Sequence, residues 1–106
     1  MKLVFAIVSS DDAAMVNASL TKAGFQATKL ATTGGFLKSG NTTFLVGTDD
    51  DKVDAVLDLL RKQSRRRTQM MPSTAGENGM YGSYPIEVAV GGATVFVLDV
   101  DRFEKL

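Results

Sequence analysis

Two segments of this chain repeat their apolar residues with a helical period, and each is set between short β-branched runs. That alternation limits the fold more than any other feature. In "SSDDAAMVNASLTKAGF", Ala13, Val16, Leu20 and Ala23 fall three, four and three apart, which is one helix stripe. Ser9, Ser10 or Asp11 can cap its start, Lys22 suits the carbonyl end of the dipole, and Gly24 can take the left-handed cap. A helix is predicted from about Asp12 to Ala23. In "DDDKVDAVLDLLRKQS", Val53, Val56, Leu57 and Leu60 form a second stripe, with the aspartates serving the N-terminal amides. The run Lys2 to Val8, "KLVFAIV", is too short for a helix and reads as a strand buried on both faces. "FQATKLAT" and "NTTFLVGT" read as two further strands.

After the second helix the pattern breaks. Arg65 to Pro85 holds both prolines and three glycines with no sustained period, and reads as a long mobile loop. Regularity returns at "IEVAVGGATVFVLDV". Gly91-Gly92 permits positive φ at both turn positions, so a tight hairpin is expected to join the last two strands. Strand, helix, strand, strand, helix, strand is the ferredoxin-like βαββαβ order of an α+β sandwich, with two helices on one face of an antiparallel sheet and an added C-terminal hairpin strand. At 106 residues, one domain spanning 1–106 is expected.

Composition excludes several chemistries. The chain has no His and no Cys. The usual zinc and copper ligands are therefore missing, as are Ser-His and Cys-His nucleophile pairs. No metal or cofactor is expected, and an enzyme would have to run on Asp, Glu, Lys, Tyr or backbone groups. Formal net charge is zero, which argues against general nucleic-acid affinity. The six-residue apolar run after Lys2 lacks a cleavage site, so it does not read as a signal peptide, and no stretch approaches a membrane span. A cytoplasmic location is the expectation. The basic cluster Arg61, Lys62, Arg65, Arg66 and Arg67 can be an RNA or acidic-partner surface, but a solvated helix end explains it with less. Asp49-Asp50-Asp51 reads as capping rather than Mg²⁺ ligation.

Residues 28 to 47, "TKLATTGGFLKSGNTTFLVG", combine threonine hydroxyls, glycine amides, Asn41 and the apolar pair Phe36 and Leu37. A β-hairpin with a glycine-rich tip accounts for the composition. So does a nucleotide site: amides and hydroxyls for phosphate, Asn41 for a base edge, Phe36 for a planar ring. The spacing is not that of a Walker A loop.

"ATKLATTGGFLKSGNTTFLVG" together with "YPIEVAVGGATVFVLDVDRF" resembles the PII-like cyclic-di-AMP receptors, the PstA or DarA family. The resemblance covers nearly the whole chain and is weakest between Arg65 and Tyr84. "GGATVFVLDV" is also similar to the "GDGKIFV" segment of true PII nitrogen regulators, but Thr94 stands where those carry a phosphate-contacting lysine. The loop between the second and third strands is also far too short for their modifiable loop. The resemblance implies a non-enzymatic homotrimer that binds cyclic-di-AMP between subunits and acts on an unknown downstream protein, with no nucleic-acid or membrane partner. By matched position the ligand-binding residues are Gln26, Ala27, Thr28, Gly35, Phe36, Leu37, Asn41, Gly47, Gly92 and Phe96. Gly24 and Gln26 depart from the family pattern, which has Asn and a phosphate-binding Arg there. A PII-like sensor of another adenine nucleotide is the alternative, and a small enzyme of the same fold a third.

Overall fold

The computed structural model describes residues 1–31, 40–72 and 85–106. Strand β1 (Lys2–Ser9) leads into helix α1 (Ser10–Lys22). Strands β2 (Ala27–Ala31) and β3 (Asn41–Thr48) follow, then a 3₁₀ turn at Asp50–Lys52 and helix α2 (Val53–Gln63). Strands β4 (Arg67–Pro72), β5 (Pro85–Val90) and β6 (Ala93–Asp99) complete the order. The chain is a mixed α+β fold with two helices and antiparallel sheets. One sheet has the order β2-β3-β1-β6, which is consistent with a ferredoxin-like arrangement; the other is the pair β4-β5.

Period-2 alternation decides which face of the larger sheet meets the helices. Val4, Ala6 and Val8 of β1 lie opposite Val46, Phe44 and Thr42 of β3, and all are buried. Val16 and Leu20 of α1 and Val56 and Leu60 of α2 close over them, each at most 2% exposed. Each such aliphatic side chain contributes about 1.5–3 kcal/mol by leaving water. Helix α1 begins as expected: Ser9 Oγ accepts a hydrogen bond from the Asp11 amide at 3.3 Å. It ends at the left-handed Gly24 (φ 88°), where the Phe25 amide donates to the Leu20 carbonyl at 2.9 Å. Ala23, placed on the apolar stripe by its spacing, is instead the exposed C-cap.

Four expectations need correction. The aspartates before α2 make no side-chain cap hydrogen bond. Asp50 instead pairs with the N-terminal ammonium at 3.0 Å, and the acidic first turn acts only through the dipole. Strand β1 is buried on one face; Leu3, Phe5 and Ile7 on the other are only partly covered within the chain. The tight hairpin expected at Gly91-Gly92 does not form. Gly91 and Gly92 do take positive φ (78° and 86°), but β6 pairs with the open edge of β1 while β5 pairs with β4. Two separate ladders satisfy more backbone donors and acceptors than one hairpin would, so the glycines make a corner between sheets. Finally, the expected loop from Arg65 to Pro85 contains β4. Its residues have modest strand preference, and the ladder to the β-branched β5 supplies the order that local propensity does not. Residues 73–84 lie outside the described residues.

The radius of gyration is 17.4 Å, against about 13 Å for a compact chain of roughly this length. Along the β4-β5 ribbon, Thr68, Gln69, Met70, Glu87 and Val88 are all exposed. No helix among the described residues is long and apolar enough to cross a membrane.

Candidate functional site

Of the residues singled out in the sequence, some lie at the two opposite edges of the larger sheet, while Asn41 and Gly47 lie on its inner strand β3. Gln26, Ala27 and Thr28 begin the β2 edge, with Ala27 paired to Val46 and Thr28 to Leu45. Phe96 lies on the β6 edge. Register places Thr28, Leu45, Phe5 and Phe96 in one transverse row. Three interstrand steps of about 4.8 Å separate the ends of that row by about 14 Å. Phe96 is 52% exposed and meets Phe5 edge to face, with ring centroids 6.3 Å apart. Gly35, Phe36 and Leu37 lie outside the described residues.

Two clefts divide the other candidates. The smaller, about 550 Å³, has Gly24, Gln26 and Gly47 in its lining, with Lys52 beside them. An added Cβ at Gly47 would meet nothing within 4 Å, so the space beside this backbone is open. The larger, about 850 Å³, follows the β6 edge between the end of α2 and the Gly91–Gly92 corner, and includes Asn41. Asn41 is held there because the Ser10 amide donates to the Gly40 carbonyl at 2.7 Å, and the Ser10 and Thr42 hydroxyls lie 2.9 Å apart. The far end of β3 is thereby tied to the start of α1.

The corner that shapes the larger cleft is fastened by contacts not foreseen from the sequence. Arg67 donates through Nη2 to Asp12 Oδ1 at 2.8 Å and through Nη1 to Asp12 Oδ2 at 3.2 Å. Nη1 also reaches the Arg65 carbonyl at 3.2 Å. Asp12 is buried and hydrogen bonds to Arg67, raising the guanidinium's already high pKa. Gly91 packs directly on this assembly: a Cβ there would lie 2.7 Å from the Arg65 carbonyl oxygen and 2.4 Å from Arg67 Nη1. The Gly92 amide donates to the Ser64 carbonyl at 2.5 Å, and the Ser64 hydroxyl turns back to the Leu60 carbonyl. The base of the β4-β5 ribbon is thus clamped to α1 and to the end of α2. The glycine pair was the available signal, but nothing local marked Asp12 as the partner of a residue 55 positions away.

The basic cluster separates into different roles. Arg61 pairs with Asp58 on the α2 surface at 2.7 Å, and Arg67 is taken by Asp12. Arg65 and Arg66 line the larger cleft. Elsewhere, an ion pair with Asp99 raises the pKa of Lys2, and a hydrogen bond from the N-terminal ammonium lowers that of Asp50. Both sit at the opposite end of β1 from the corner. Among the described residues no cluster of acidic side chains could hold a metal ion. The smaller cleft offers open glycine backbone, and the larger offers Arg65 and Arg66, which make no ion pair among the described residues and suit an anion.

Residues 1–106 match the family of cyclic-di-AMP receptors. The chain is also similar to the crystal structure of a functionally unknown protein from Pediococcus pentosaceus ATCC 25745. The two are 46% identical, the alignment covers 99% of this chain and 96% of that one, and the TM-score is 0.78. The family match supports cyclic-di-AMP binding by a receptor protein. Over its whole length, the chain belongs to the cyclic-di-AMP receptor family, the PII-like DarA family.

Proposed function

We propose that this protein is a PII-like, ferredoxin-fold signalling protein. It binds cyclic-di-AMP in clefts between three identical subunits and relays occupancy through the segment between α2 and β5. The observation that carries this reading is the placement of the candidate residues on both edges of one sheet. Thr28 and Phe96 are separated by two intervening strands. Within one chain about 14 Å of sheet separates them; the β2 edge of one subunit beside the β6 edge of the next would bring them together.

The uncovered sheet face supports the same assembly. Leu3, Phe5 and Ile7 are half-buried, and Leu98 (49%) and Phe96 lie exposed beside them. A contiguous apolar face of this kind marks an association surface. The composition of β1, which reads as a strand covered on both sides, agrees with a second cover supplied by other subunits.

Calorimetric titration with cyclic-di-AMP, cyclic-di-GMP, ATP and AMP tests the ligand. Selective binding of cyclic-di-AMP is expected. Tighter binding of ATP or AMP would overturn it in favour of a different adenine-nucleotide sensor.

A further inference from the structure

The chain has equal numbers of acidic and basic residues, yet the larger cleft is one-signed. Arg61, Arg65 and Arg66 line it, and among the described residues no carboxylate does. Arg61 is shared with Asp58, whereas Arg65 and Arg66 are exposed and make no ion pair among the described residues. A concave wall of one sign concentrates field and selects a ligand of the opposite sign. At about 850 Å³ the cleft lies within the range for small-molecule sites.

The positions of these arginines are set by the clamp beneath them. The Arg65 carbonyl accepts from Arg67, and Arg67 is held by Asp12. A Cβ on Gly92 would stand 3.6 Å from Arg66 Cβ, so the corner packs against the stem of that side chain. The backbone at 65–67 is therefore fixed while two guanidinium groups remain free to reach into the cleft. Guanidinium groups present paired donors that match phosphate oxygens.

From this arrangement we infer that Arg65 and Arg66 supply the positive charge that holds the two phosphodiester groups of the cyclic dinucleotide. The inference rests on the functional reading above and deepens it. It also gives the site a direct line to the ribbon, because Arg66 is followed immediately by the first residue of β4. Phosphate captured at 65–66 bears on the root of that ribbon.

The test is calorimetry of the intact protein with cyclic-di-AMP at two salt concentrations, about 0.05 M and about 0.5 M, which differ severalfold in screening length. Arg65→Gln with Arg66→Gln is expected to weaken binding at low salt by about tenfold or more, and to flatten its salt dependence. Arg65→Lys with Arg66→Lys, which keeps the charge but loses the fork, is expected to retain the salt dependence at intermediate affinity. Arg102→Gln, which removes one positive charge beside Glu104 near the C-terminus, is expected to leave affinity and salt dependence near wild type. If the double Gln variant binds with wild-type affinity and salt dependence, the inference is overturned while cyclic-di-AMP binding stands. If the wild-type protein fails to bind cyclic-di-AMP at low salt, the functional reading is overturned and the inference falls with it.

Discussion

Replacing Gly91 with Ala probes the clamp at the ribbon base, and the structure supplies its own controls. Gly91 has φ 78°, a region where an L side chain costs about 1–2 kcal/mol. Its new Cβ would also lie 2.7 Å from a backbone oxygen, that of Arg65. Backbone cannot swing aside as a side-chain end can, and relieving such overpacking costs about 1–3 kcal/mol. The total expected for Gly91→Ala is about 2–5 kcal/mol. Gly24 has a similar φ of 88°, but nothing lies within 4 Å of its Cβ position. Gly24→Ala should therefore carry the conformational term alone, about 1–2 kcal/mol. Gly92→Ala, at φ 86° with its nearest neighbour at 3.6 Å, should resemble Gly24→Ala. Urea unfolding at one fixed protein concentration reads all three, because association makes stability depend on concentration. Equal destabilisation by Gly91→Ala and Gly24→Ala would refute the claim that the corner is packed against the Arg65 carbonyl.

Thr43 is fully buried, and its hydroxyl finds no hydrogen-bond partner among the described residues; Thr43→Val should raise stability by roughly 1 kcal/mol in urea unfolding, and a loss would mean that the hydroxyl is satisfied in the folded protein. Leu98→Glu places a charge on the uncovered sheet face; light scattering should fall from three times the 11.3 kDa chain mass toward a single chain, and an unchanged assembly would place the interface elsewhere. Gln26 is exposed beside Gly24 and Gly47, so Gln26→Arg should tighten cyclic-di-AMP about ten- to a hundredfold through a charge-assisted phosphate contact. Unchanged affinity in that variant, with binding abolished by Asn41→Ala, would mean that base recognition dominates.

Local chemistry made some of this architecture readable in the chain itself. Ser9, the Ala13-Val16-Leu20 stripe and Gly24 each act through neighbours within one or two helical turns, and all three behave as their types require. The same holds for the positive φ of Gly91 and Gly92. What those glycines connect was not readable, because strand partners are chosen by competition among distant edges. Ile86, Val88 and Val90 suit a ladder with β6 or with β4 equally well by composition. The outcome depended on β1 having a free edge that residues Ala93 to Asp99 could fill. Charge behaves likewise. Arg65, Arg66 and Arg67 are identical as letters, yet one is neutralised by a buried Asp12 and two line a cleft that has no carboxylate among the described residues. The difference comes from the direction in which the chain leaves Ser64 after α2, whose own amide and hydroxyl both turn back to the Leu60 carbonyl. Burial of β1 follows the same logic. The continuous apolar run of β1 reads as covered on both faces, and one chain covers only one. Leu3, Phe5 and Ile7 are half-covered, and in the proposed assembly a second chain closes over that face, where the edge residues Thr28 and Phe96 also become neighbours.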